Sequence, residues 1–183
     1  MRKIPIILFV LIAFQIQAQT KYNMKPGYDI HVAGTSSLHD WEMTSDNSKG
    51  SMVASIESDK LAKVKELKIT VVTESLKSGK SGMDKNAYEA LKSKDNKEVT
   101  FTSTKVKVSG ELVTATGELC IAGAKKNTTI TATCAVQSNG EINCKGSKKI
   151  KMTEYNVDPP TAMFGTIKTG DDLEIVFDVT FTR

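Results

Sequence analysis

The residues able to do chemistry are few, and their spacing is unhelpful to a catalyst. The chain has two histidines, three cysteines and one tryptophan in 183 residues. His39 and Trp41 share the stretch GTSSLHDWEM, and His31 lies eight positions upstream across a turn. No HExxH, paired CxxC or GxSxG is present, so the spacings that assemble a zincin, a four-cysteine zinc site or a nucleophile elbow are missing. Ser36 and Ser37 read as turn residues. His31 alternates with Ile30 and Val32, which sends it toward solvent. His39 shares a face with Trp41 and has no partner cluster with which to hold a metal. The chemistry left to such a chain is non-covalent: burial of apolar surface around Trp41, with Asp40 and Glu42 of the same strand facing water.

The cysteines point to a structural role. Cys134 has the parity of Ile130, Ala132 and Val136, and Cys144 that of Ile142, Ile150 and Met152. Ser138-Asn139-Gly140 between them is a hairpin signal. A three-residue loop there puts Cys134 opposite Cys144, so these two are expected to form a disulfide, with Cys120 free. The alternative is three unpaired thiols, two of them packed as small apolar residues.

Positioning such residues is the task of period-two segments, which dominate the chain. Tyr28, Ile30 and Val32 share one face; so do Met52, Ala54 and Ile56, and Leu67, Ile69 and Val71. Val113, Ala115, Gly117, Leu119 and Ile121 align, as do Leu173, Ile175, Phe177, Val179 and Phe181. In EVTFTSTKVKV, Val99 and Phe101 have one parity and Val106 and Val108 the other, which predicts a bulge near Ser103. Turns are expected at Ser109-Gly110, Asn139-Gly140 and Gly170-Asp171, with a further connection near Lys125 to Asn127. One segment changes period: Met83, Ala87, Ala90 and Leu91 fall at helical spacing, with Asp84 in the first turn. They predict a short helix across one end of the sheet.

The fold class expected is therefore all-β: an antiparallel eight-stranded lipocalin-like barrel with one short α-helix. Closure removes the sheet edges, and eight strands leave room for packed side chains or one small ligand. Small residues at inward positions (Ala54, Ala115, Gly117, Ala132, Gly146) favour an open interior, although such residues also fill tapering barrel ends. Candidate pocket walls are Ile30, Trp41, Met52, Ile69, Phe101, Leu119, Ile175 and Phe177. Phe164 joins them because the DPPTAMFG loop is placed to cap one mouth.

Ahead of this domain, Arg2 and Lys3 precede an almost wholly apolar run from Ile4 to Ile16, and Ala18 offers a small residue for cleavage. Residues 1–18 read as a secretory signal peptide, too short to span a bilayer, which leaves a domain of residues 19–183. The protein is expected in the periplasm or secreted. The net charge is +4 at pH 7, and Arg2 and Lys3 depart with the leader. The remaining lysines are dispersed and aromatics scarce, so no nucleic-acid stripe exists, and no second apolar stretch reaches membrane-spanning length. No motif encodes an oligomeric state; a dimer is compatible with the sequence.

Five segments in order resemble the YceI-like family of exported bacterial proteins: GTSSLHDWEM, VVTESLKSGKSGMDKNAYEAL, EVTFTSTKV, GELCIAGAKKNTTI and DPPTAMFGTIKTGDDLEIVFDV. The departures, Lys97 where many members have proline and Ala124-Lys125-Lys126 in a hairpin, fall in loops. The resemblance implies an extended lipocalin-like barrel. It also implies binding of a long apolar molecule (a polyisoprenoid, an isoprenoid quinone or another lipid) for carriage or storage. No enzyme activity is expected, and no cofactor beyond such a bound lipid. The competing readings are a filled-core barrel acting as a stress-related or protein-interaction module and, more remotely, a cofactor-using enzyme on the same frame.

Overall fold

Alternating apolar residues can bury one face of a strand only if the sheet curls onto itself or meets another layer. Here the sheet curls. The computed structural model describes residues 19–183; the leader expected at 1–18 lies outside the described residues. The strands are β1 (Thr20–Met24), β2 (Asp29–Ser36), β3 (Trp41–Ser45), β4 (Ser48–Glu57), β5 (Lys60–Val72) and β6 (Leu76–Lys77). After helix α1 (Ser81–Ala90) come β7 (Glu98–Ser109), β8 (Leu112–Ile121), β9 (Ala124–Val136), β10 (Ile142–Lys151), β11 (Thr161–Ala162) and β12 (Ile167–Thr182). Neighbours run β1-β4-β5-β7-β8-β9-β10-β12, and β12 pairs back onto β1, closing an antiparallel ring of eight strands.

The closing strand serves two partners along one edge. Phe181 and Thr182 pair with Met24 and Asn23 of β1, while Thr169 to Asp178 pair with Ser36 to Asp29 of β2. β1 and β2 thus act as two halves of one broken strand. β2 then passes the sheet on to β3 and β6, which build the wall higher at one end of the barrel.

The expected irregularity at Ser103 is present as a register shift between Ser103 and Lys105. It returns Val106 and Val108 to the interior beside Val99. The Leu67 amide donates to Ser103 Oγ at 2.9 Å, which ties the bulge to β5. Gly117 faces it, and a Cβ there would lie 2.7 Å from the Ser103 Cα, so the bulged backbone needs a glycine opposite.

Two turn expectations shift. Gly170-Asp171 is a register irregularity inside β12 rather than a turn. Asp171 accepts hydrogen bonds from the Thr153 amide (2.9 Å) and hydroxyl (2.7 Å), which bind it to the neighbouring 3-10 turn instead of to its own chain reversal. Lys125 to Asn127 lie within β9; the chain reverses at Ala122-Gly123, both at positive φ. Alanine is an uncommon occupant of that conformation, which hid the turn from residue statistics.

The expected pair Cys134 and Cys144 is disulfide-bonded, with Cα atoms 4.1 Å apart, and Cys120 is free. They sit directly opposite in register. The Cys134 amide points the other way, donating to the Glu111 carbonyl at 2.7 Å, so this is the close, non-hydrogen-bonded kind of antiparallel pair.

The interior is filled unevenly. At one end Tyr22, Met52, Ile142 and Phe181 are each no more than 2 % exposed and plug the barrel. Arg183 seals the outside of that plug, its guanidinium 5.7 Å from the Tyr22 ring centroid. At the other end the core thins out, and α1 lies across it.

Candidate functional site

The thinly packed end holds a cavity of about 550 Å³, open to solvent, and a second chamber of about 130 Å³ lies deeper toward the plug. Ile30, Val71, Val99 and Ile175 line both, so the two chambers adjoin along the barrel axis. The lining is overwhelmingly aliphatic and aromatic. The wide chamber falls within the roughly 300–1,000 Å³ usual for small-molecule sites.

Each wall has a local cause. β12 contributes Leu173 and Ile175, and β2 contributes Ile30 and Val32, by strict alternation. β3 contributes Trp41 and Met43. The indole of Trp41 lies over Gly34, its cross-strand partner, and its Nε1–H donates to the Thr35 carbonyl at 2.9 Å. The polar edge of the ring is satisfied by backbone, and its apolar face is left for the cavity.

Helix α1 supplies the lid. Met83, Ala87 and Ala90, with Leu91 just beyond its end, face the wide chamber. None of the ten helical residues is buried. Met83 and Ala87 look onto open space, while Ala90 and Leu91 also pack against the buried cluster around Ile121 and Tyr155. The helix is nonetheless fixed at its edges. The Tyr88 hydroxyl lies 2.7 Å from the Leu76 carbonyl and accepts from Lys77 Nζ at 2.7 Å. Asp84 accepts from the Ser78 amide at 2.8 Å and hydroxyl at 2.5 Å. Burial alone would raise the Asp84 carboxyl; the two Ser78 donors, with Lys77 nearby, outweigh it and hold the carboxyl below the ordinary 3.8.

Opposite the helix, a 3-10 turn at Thr153–Tyr155 and the segment after it bring Tyr155 and Val157 into the wall. Burial, reinforced by Glu154, pushes the Tyr155 phenol up. Asp171 steadies this turn. Donation from the Thr153 backbone and hydroxyl holds its carboxyl below the ordinary value.

The candidate residues distribute as follows. Trp41 lines the wide chamber and Met52, Ile69, Phe101, Leu119 and Phe177 the deep one, while Ile30 and Ile175 touch both. Phe164 lies outside both chambers and is fully exposed. It follows Met163 and precedes Gly165 in a run of three residues with positive φ, which throws its side chain outward from the loop. Of the small inward residues, Ala115 and Ala132 border the deep chamber, whereas Gly146 opens no volume because the Phe177 ring covers it. The residues that alternation did not identify are those of α1, Tyr155 and Val157. The helical period at Met83, Ala87 and Ala90 marked an apolar face, but nothing local said that the face would look into a void.

The histidines stand apart from any reactive grouping. His39 is at the rim, with Nδ1 2.6 Å from the Asp40 carbonyl. His31 is only partly exposed and borders the wide chamber, with Nδ1 2.9 Å from Asp29 and Nε2 3.8 Å from Glu42. Among the described residues no three of His, Cys, Asp and Glu gather as a metal site would require. Nor is any described helix long and apolar enough to cross a membrane.

Residues 17–181 match the YceI-like domain family. Among solved structures, Burkholderia cenocepacia BcnA superimposes with a TM-score of 0.70 at 19% identity, covering 85% of this chain and 96% of that one. A polyisoprenoid binding domain from Saccharophagus degradans gives 0.65 at 12% identity, covering 87% and 97%. The Campylobacter jejuni YCEI protein gives 0.61 at 23% identity, covering 77% and 84%. No curated protein matches the chain. The family match spans nearly all of the described residues, and the chain belongs to the YceI-like domain family.

Proposed function

We propose that this protein is exported and binds one long apolar molecule, a polyisoprenoid, an isoprenoid quinone or a comparable lipid, for carriage or storage. The observation that carries the reading is the pair of adjoining apolar chambers, open at one end and plugged at the other. A vacant apolar lumen exposed to water is unfavourable, and filling it with a chain gains up to about 0.8 kcal/mol per buried CH₂. Ordering the chain offsets part of that gain. Binding of this kind calls for no reactive group. The polyisoprenoid-binding neighbour supports the same class of ligand. A core filled throughout, as an interaction module would have, is at odds with the thinly packed end.

Native mass spectrometry of the purified chain, followed by organic extraction, tests this reading. The expected result is added mass that extraction removes as a lipid. A chain of bare mass that also fails to take up any added isoprenoid quinone overturns it. Sequencing the N-terminus of the protein recovered from its source tests export, with a start near Gln19 expected.

A further inference from the structure

Four large apolar side chains are strongly exposed among the described residues: Leu38, Leu112, Met163 and Phe164, at 66%, 49%, 69% and 110%. Three of the four stand at the open end of the wide chamber. Leu38 and Met163 belong to its lip, and Phe164 extends beyond it. They come from two loops that the backbone joins. The Ser37 amide donates to the Lys168 carbonyl at 2.9 Å, and the Lys168 amide donates to Ser37 Oγ at 3.1 Å. Met163 and Phe164 are presented at φ 51° and 56°, a backbone region that bulky residues seldom adopt. A loop that selected only for its own stability would place polar residues or glycine there.

Lys80, in the chamber's lining, and Lys168, bonded to Ser37 beside Leu38, are exposed and without an ion pair among the described residues; Asp40 and Asp158 are exposed carboxylates of the same rim. Exposed apolar tips in a rim that mixes lysines with carboxylates suit an interface with oily depth beneath polar headgroups of both signs. A ligand of the class proposed above has little solubility in water and resides in a bilayer. An open cavity whose lip carries the exposed apolar residues would receive it without a passage through water.

We infer that the protein docks mouth-first on a lipid bilayer, inserting Leu38, Met163 and Phe164 among the headgroups so that the wide chamber opens onto the acyl region. This inference rests on the lipid-binding reading. It commits to a membrane surface rather than to a protein partner, because two of the tips, Leu38 and Met163, belong to the lining of the apolar cavity itself.

The test uses residues 19–183, within which the ring closes, and vesicles of mixed phosphatidylethanolamine and phosphatidylglycerol. The unmodified chain is expected to float with the vesicles. Phe164→Ser should weaken that binding roughly fivefold or more, the scale of one aromatic ring partly withdrawn from water. It should leave quenching of Trp41 unchanged when the isoprenoid quinone is supplied from solvent. Leu112→Ser, at the opposite end of β8, should leave flotation unchanged. Leu38→Ser combined with Met163→Ser should reduce flotation further. Quinone uptake from solvent without flotation, or equal flotation of the chain and Phe164→Ser, overturns docking and leaves the carrier reading standing. Flotation without uptake from solvent or vesicle overturns the carrier reading instead. Self-association through this rim, seen as a dimer in sedimentation that Phe164→Ser abolishes, counts against the bilayer.

Discussion

Trp41 lies against Gly34 so closely that a Cβ on the glycine would stand 2.8 Å from the indole Cε2 and 2.9 Å from Leu173 Cδ2. The same device recurs lower in the barrel, where Phe177 covers its cross-strand partner Gly146, with the ring Cζ 2.7 Å from where a Cβ would be. In both pairs an aromatic ring fills the space a side chain would have used, holding strand register at one point of the wall. Gly34→Ala is expected to push the indole into the wide chamber, with a stability loss of about 1–3 kcal/mol, as for other overpacked sites. Thermal unfolding and the Trp41 emission maximum check this together, and unchanged emission would show that the ring does not depend on the glycine.

Ligand occupancy can be tested at the lid. Ala87 faces the wide chamber from α1 and is only partly buried. Ala87→Phe should occupy that space and reduce affinity for an isoprenoid quinone at least about tenfold, or ~1.4 kcal/mol. Far-ultraviolet circular dichroism should stay unchanged. Titration followed by Trp41 quenching measures it. Full affinity in the folded variant would place the guest elsewhere.

The Cys134–Cys144 bridge closes a loop with a sequence separation of 10. Cutting a loop of that size from the unfolded ensemble predicts a loss of about 2–3 kcal/mol for the double alanine variant. For a domain of this size that corresponds to a fall in Tm of roughly 5–10 °C. Thiol titration of the denatured, unreduced protein should find one reactive group, Cys120, and reduction should raise the count to three.

Two carboxylates brace the open end, and both are held below the ordinary aspartate value of 3.8. A carboxyl lowered by folding stabilises the fold above its unfolded value, and that contribution disappears as pH falls through the lower, folded one. Asp84→Asn and Asp171→Asn should therefore each lower Tm at pH 7. The deficit against the unmodified chain should shrink as pH drops below about 4. Calorimetric scans across that range check the sign; a deficit independent of pH would mean the variants act by packing alone.

Much of the barrel was legible because a strand repeats every two residues, so each apolar alternation declares its own inner face. The parity switch around Ser103 announced the bulge for the same reason, and the 134/144 parity match with a three-residue loop announced the disulfide. Gly170-Asp171 misled because its residue types suit a turn, whereas β12 continues past them as an irregularity flanked by its pairing to β2 at Thr169 and Leu173. Ala122-Gly123 was missed because the reversal rests on an alanine in a conformation that its side chain disfavours.

What the sequence determined alone was local: which face of each strand is apolar, where α1 begins, and which cysteines oppose. Whether those faces meet or leave a gap was settled only by closure. Tyr22, Met52, Ile142 and Phe181 come from β1, β4, β10 and β12, and they form a plug only because the ring brings four distant strands to one end. Alternation likewise gave Met83, Ala87 and Ala90 no address, since an amphipathic helix presents the same pattern over a packed core and over a cavity. Phe164 shows the limit most plainly. Its place in the DPPTAMFG loop argued for a cap over the mouth, but the direction of a side chain on a loop depends on backbone torsions, and the positive φ of residues 163–165 turned it outward.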